Sequence, residues 1–129
     1  RGPKWEEMIS FSASHDVGKT WSPPLETFPG CDPMLDRLPD DSVFLAHALW
    51  TGIEFEVSYN EAITWVYQDI LYCNSKDRWR HCPAGSAALV TLDEETALAV
   101  YHLPDGNGID ATWIRSVPRD SKEARERFE

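Results

Sequence analysis

The stretch Ser14-His15-Asp16-Val17-Gly18-Lys19-Thr20-Trp21 constrains this chain most, because its pattern occurs twice. An alternating run, Met8-Ile9-Ser10-Phe11-Ser12, leads into it as a half-buried strand would. Asp16 is placed to bond the backbone that follows it, and Gly18 can supply the positive φ of a tight turn. Thr20 and Trp21 are good strand formers. The stretch therefore predicts a β-hairpin whose turn is fixed by Asp16 and whose exit is anchored by the Trp21 indole. Ser58-Tyr59-Asn60-Glu61-Ala62-Ile63-Thr64-Trp65 repeats the frame after a second alternating run, Ile53-Glu54-Phe55-Glu56-Val57. Asn60 stands in place of the acid and Ala62 in place of the glycine. Ser14 to Ser58 is a step of 44 residues, a period that predicts repetition of one four-stranded antiparallel unit.

The frame Ser-x-Asp-x-Gly-x-Thr-Trp resembles the Asp box of the sialidase-like, or BNR-repeat, β-propellers. The first copy matches at Ser14, Asp16, Gly18, Thr20 and Trp21, and the second at Ser58, Asn60, Thr64 and Trp65. Leu38-Pro39-Asp40-Asp41-Ser42 resembles the family's Leu-Pro-Asp-Gly hairpin between the first two strands of a blade, and Leu92-Asp93-Glu94-Glu95-Thr96 looks like the next copy. The resemblance implies an all-β fold of antiparallel four-stranded propeller blades. Residues 1–118 would form about two and a quarter blades of a six-bladed sialidase-like propeller, one of them complete over about 31–71. Residues 119–129 would be a charged tail, helical or disordered. No closed propeller fits in 129 residues. Further blades are therefore expected as partners, from other copies of the chain or from a separate segment, because naked sheet faces are normally covered.

Composition narrows the function classes. A net charge of −10 excludes a nucleic-acid partner, which would call for clustered Lys and Arg, and an anionic membrane surface. No apolar run approaches the about 20 residues of a membrane-spanning helix. The chain starts at Arg1 without a visible signal peptide, and reads as a processed or cloned piece of something longer. Cys31, Cys73 and Cys82 are an odd number, which allows one intramolecular bridge or three reduced thiols.

Strands are expected over residues 4–12, a short one over 20–22 that Pro23-Pro24 ends, then 33–38, 42–50, 53–58 and 65–70, and finally 86–92, 96–102 and 109–117. Residues 27–30 and 72–85 read as loops. The run from 42 to 50 is almost continuously apolar, which suits a strand covered on both faces.

The sialidase resemblance implies a site at the central end of the inner strands: an arginine triad for a sugar carboxylate, a Tyr nucleophile with an activating Glu, and an Asp acid/base. In register, the Glu falls near Asp32, one arginine at Ala48 flanked by His47 and Trp50, the Tyr at Ser86 after Gly85, and a further arginine at Ala88. Arg78 and Arg80 are out of register. A site without the clamp and the phenol does not process sialic acid by the usual route. The remaining candidates are Asp32 and Asp36, four apart and on one face if no bulge intervenes, as an acid/base pair. His47, Trp50, Arg37 and Ser86 are candidate ligand contacts. The Asp-box residues read as turn braces. His81-Cys82 with Cys73 lacks zinc-site spacing, and no phosphate loop, nucleophile elbow or dinucleotide fingerprint occurs, so neither metal nor cofactor is expected. The functional expectation is a glycan-directed propeller with carbohydrate as ligand. It is either a glycoside hydrolase with a divergent site or a non-catalytic glycan-binding or protein-interaction module.

Overall fold

The computed structural model describes residues 7–49, 52–73, 85–103 and 108–115. These form nine strands and, among the described residues, no helix: β1 (Met8–Phe11), β2 (Leu25–Pro29), β3 (Cys31–Arg37), β4 (Val43–Leu49), β5 (Gly52–Ser58), β6 (Tyr67–Cys73), β7 (Gly85–Thr91), β8 (Thr96–His102) and β9 (Ile109–Arg115). They pair into three antiparallel sheets in sequence order, β1-β2, β3-β4-β5-β6 and β7-β8-β9. The expected succession of two, four and three strands is what forms. Trp50 and the segments 74–84, 104–107 and 116–129, with Arg78, Arg80, His81, Cys82 and the charged tail, lie outside the described residues.

The first sheet departs from expectation. Residues 20–22 are not a strand; Ser22 instead closes the loop, its N–H donating to the Ala13 carbonyl at 2.8 Å and its Oγ accepting from the Ala13 N–H at 2.9 Å. The second strand comes later, at Leu25–Pro29, where residues 27–30 were expected to be loop. Pro29 is tolerated there because, among the described residues, β2 pairs with β1 alone, so its missing N–H leaves no second ladder unmet.

The second sheet is the centre of the molecule. All of β4 but its last residue is buried, as an apolar strand covered on both faces should be. One face carries Phe44, Ala46, Ile53, Phe55 and Val57, which pack with Ala97, Ala99, Tyr101 and Ile114 of the third sheet in a single core. Phe44 is fully buried and stacks on Phe55 at 5.1 Å; burial of such a ring contributes roughly 1.5–3 kcal/mol. The Tyr101 hydroxyl donates to the Leu71 carbonyl at 2.9 Å, tying the sheets together at a polar point. The opposite face of the second sheet meets the first, where Phe28 stacks on His47 and Trp65 packs against Phe11 and Phe28.

Candidate functional site

The two Asp-box turns lie at one end of the sheets and brace them. In the first, the Ser14 hydroxyl donates to Asp16 Oδ1 at 2.9 Å and accepts the Gly18 N–H at 2.8 Å, while Asp16 Oδ1 also accepts the Thr20 N–H at 2.9 Å. Val17 and Gly18 both take positive φ, 61° and 82°. The second turn has the same net with an amide in place of the acid. Ser58 Oγ donates to Asn60 Oδ1 and accepts the Ala62 N–H, and Asn60 Oδ1 accepts the Thr64 N–H, each at 2.9 Å. The Asn60 amide then donates to Thr64 Oγ1 at 2.7 Å, where the Thr20 hydroxyl donates to the Asp16 carboxylate. These bonds to the charged form hold the Asp16 carboxyl down at about 2, Thr20 contributing most and Ser14 next. The indoles differ. Trp21 is 63% exposed and caps its own turn through an Nε1–H bond to the Gly18 carbonyl, whereas Trp65 is half-buried between the first two sheets.

Arg37, a candidate ligand contact, is spent at this same end. Its guanidinium grips the Glu61 carboxylate through two bonds, 3.0 and 2.7 Å, and reaches the Asp41 carbonyl at 2.8 Å. It thus links the β3–β4 turn to the second Asp-box turn.

The opposite end carries the remaining candidates. The start of β3 holds a bulge: Cys31 pairs with Ala48 and Met34 with Ala46, so Asp32 and Pro33 together oppose His47. The start of β7 repeats it, with Gly85 on His102 and Ala88 on Val100, so Ser86 and Ala87 oppose Tyr101. Asp32 and Ser86 therefore occupy the same place on successive sheets. Asp32 is exposed, sits at φ 49°, and lines an open cleft of about 310 Å³ with Pro33, Met34 and Ala87. The bulge removes the alternation that was to place Asp36 beside Asp32. Asp36 lies further along β3, paired with Phe44, and its Oδ1 accepts the Arg37 N–H at 2.7 Å. Ala48, where the family's arginine would stand, is 1% exposed. Cys31 is half-buried at the same end, and Trp50 lies outside the described residues.

His47 forms a buried polar cluster that the sequence reading did not assemble. It is 1% exposed, as is Glu56, and its Nε2 lies 2.9 and 2.8 Å from the two Glu56 oxygens. Gln68 bridges the cluster outward, its amide donating to Glu56 Oε1 at 3.1 Å and to Glu54 Oε2 at 2.9 Å. His47, Glu54 and Glu56 bring ligand-type atoms within 4.8 Å of one another, a spacing that could hold a cation. The chemistry of the ring opposes one. Nδ1 has no hydrogen-bond partner among the described residues and faces the Gly30 backbone, so closely that a Cβ on Gly30 would lie 2.8 Å away. The contact with a carboxylate calls for an Nε2–H donating to Glu56; a metal on Nε2 would leave the ring hydrogen on Nδ1, which has no acceptor among the described residues. The cluster is a packing and orienting device between the first two sheets. Its signal in the sequence was Glu54 and Glu56 alternating with the core residues of β5, but naming His47 as the partner required the β4–β5 register.

No family model matches the chain, and no curated protein matches it. A solved structure does: a protein of unknown function from Dyadobacter fermentans DSM 18053, with a TM-score of 0.69 and 22% identity over 85% of this chain and 32% of that one. At that identity the likeness speaks for the fold alone, and this chain spans about a third of the length of that neighbour.

Proposed function

We propose that this chain is a segment of a sialidase-like propeller and that it binds carbohydrate at the Asp32–Ser86 end of its sheets. The observation that supports this reading is the repeated bulge. Successive inner strands open with the same distortion and present Asp32 and Ser86 at equivalent positions, at the end opposite the two Asp-box turns. Bulges re-aim side chains and recur beside active sites, and Asp32 stands exposed in a cleft there. The exposed Asp32 carboxylate is suited to sugar hydroxyl groups. The reading is of binding rather than sialoside hydrolysis, because position 48 is a buried alanine and position 86 a serine, so neither the carboxylate clamp nor the phenol is supplied there.

A glycan array probed with the whole chain, followed by calorimetry on the best ligand, tests this. The expected result is binding that Asp32→Ala weakens at least tenfold and Asp16→Asn leaves unchanged, with no release of methylumbelliferone from its sialoside. Absence of binding to any glycan at millimolar concentration would overturn it. A hydrolase of another specificity is the second reading, favoured by the exposed Asp32 carboxylate; turnover of a neutral aryl glycoside that is lost in Asp32→Asn would select it.

A further inference from the structure

Each of the two bulges is faced by a buried side chain, and a ring from the preceding sheet packs on that side chain. Asp32 and Pro33 oppose His47, and Ser86 and Ala87 oppose Tyr101. His47 is 1% exposed and Tyr101 3%. Tyr101 follows His47 by 54 residues, as Ser86 follows Asp32. The Phe28 ring of β2 stacks on His47 at 5.7 Å, and the Tyr72 ring of β6 packs on Tyr101 at 6.3 Å. Phe28 and Tyr72 are separated by the 44-residue step of the Asp boxes. Hydrogen bonds fix both facing side chains, His47 Nε2 to the Glu56 carboxylate and the Tyr101 hydroxyl to the Leu71 carbonyl. Bulge, facing residue and ring are thus one unit built twice.

In the first copy the chain entering β3 is wrapped round the His47 imidazole. Phe28 covers its face, Gly30 lies against its Nδ1 edge, and Asp32 and Pro33 oppose it across the ladder. Gly30 is at φ 143°, and a Cβ there would stand 2.8 Å from Nδ1 and 2.6 Å from the Ala48 carbonyl oxygen. Only glycine passes that close in that conformation. Two residues on, Asp32 sits at φ 49°, which a non-glycine residue keeps where its surroundings fix it. The ring is held in turn by Glu56 at its other nitrogen. We propose that His47 is a positioning residue for Asp32: its ring is the form on which residues 30–33 are shaped, and it sets where the Asp32 carboxylate stands in the cleft. The inference rests on the carbohydrate reading for its consequence, because a binding group selects its ligand when the shell behind it is rigid.

The test removes the buried pair as a pair, so that no charge is stranded. His47→Ala with Glu56→Leu deletes the ring, and His47→Phe with Glu56→Leu keeps one. Residual dipolar couplings of the backbone N–H bonds read the bulge with no ligand present. The couplings of Cys31 and Asp32 should change in the alanine variant and return towards wild type in the phenylalanine variant, while Ala87, Ala88 and both Asp-box turns keep their values. A side chain that merely stabilised the fold would lower the melting temperature and leave the couplings of the folded protein unchanged; that result would overturn the proposal. Phe28→Leu removes the stacked ring alone and decides the matter if the paired variants do not fold: displaced couplings at Cys31 and Asp32 support the proposal, and wild-type values overturn it. Affinity for the best glycan should fall about tenfold or more in the alanine variant, the loss of a hydrogen bond to a charged group, and recover in the phenylalanine variant. Equal affinity in both variants and wild type, with the couplings displaced, would also overturn it. If the wild-type chain binds no glycan, the functional reading fails by itself, and the couplings still decide whether His47 shapes the bulge.

Discussion

Replacing Ala62 by glycine should stabilise the protein, against the usual direction of such a change. The two Asp-box turns share one hydrogen-bond net and one backbone path, in which Val17 and Gly18 at φ 61° and 82° correspond to Glu61 and Ala62 at 57° and 66°. An L-residue held in the left-handed region costs about 1–2 kcal/mol, and the greater freedom of glycine in the unfolded chain returns about 0.4–1 kcal/mol of that. The balance for Ala62→Gly is a gain of about 0.5–1 kcal/mol. The Ser58 bond to the position-62 N–H is a backbone bond and survives the change. The converse, Gly18→Ala, should cost about 1 kcal/mol from the backbone alone. Space is not limiting there, since an added Cβ would meet nothing closer than Trp21 Cζ2 at 3.9 Å. Urea titration followed by tryptophan fluorescence reads both; the midpoint should rise by about 0.5 M for Ala62→Gly and fall by a similar amount for Gly18→Ala at unchanged slope. A loss of stability in Ala62→Gly would refute the equivalence of the two turns.

Three further outcomes follow from the same geometry. His47→Ala strands the Glu56 carboxylate in the interface between the first two sheets and should cost about 3–5 kcal/mol, with Glu56→Gln costing less because it can still accept the Nε2–H; thermal denaturation ranks them. Gly30→Ala puts a Cβ 2.6 Å from the Ala48 carbonyl oxygen at φ 143°, and should destabilise by about 2 kcal/mol through strain, read as a lower urea midpoint. Asp16 is held at about 2 in the fold, below its ordinary 3.8. Its contribution to stability is therefore complete above about pH 4 and is lost as pH falls through the folded value, because the unfolded chain takes up the proton first. Asp16→Asn should flatten the acid limb of the stability profile between about pH 4 and 2, and Asn60→Asp should steepen it.

The strand succession was legible because it rests on local chemistry. Alternation marks β5, continuous apolarity marks β4, and the Asp-box side chains fix their turns within eight residues of sequence. Residues 27–30 read as a loop because Pro29 and Gly30 punctuate them, and the edge position of β2 among the described strands makes Pro29 acceptable in a strand. The site was harder. Pro33 at the start of the expected strand is the visible sign of the bulge, and Asp36 shares a face with Asp32 only where no bulge intervenes. The His47–Glu56 pair joins residues on different strands through a diagonal step of the β4–β5 register, which is a product of tertiary pairing and not of any local pattern. Arg37 illustrates the same point: nothing near it in sequence announces Glu61, which the second turn delivers from 24 residues away.

The most direct test of the functional account is to map, by 1H–15N correlation spectra of the labelled chain, which end of the sheets a bound oligosaccharide perturbs. The account predicts shifts at Cys31, Asp32, Met34, Ser86 and Ala87, around the repeated bulges, with residues 14–21 and 58–65 unmoved. Shifts confined to the Asp-box turns, or none with any sugar at millimolar concentration, would contradict it.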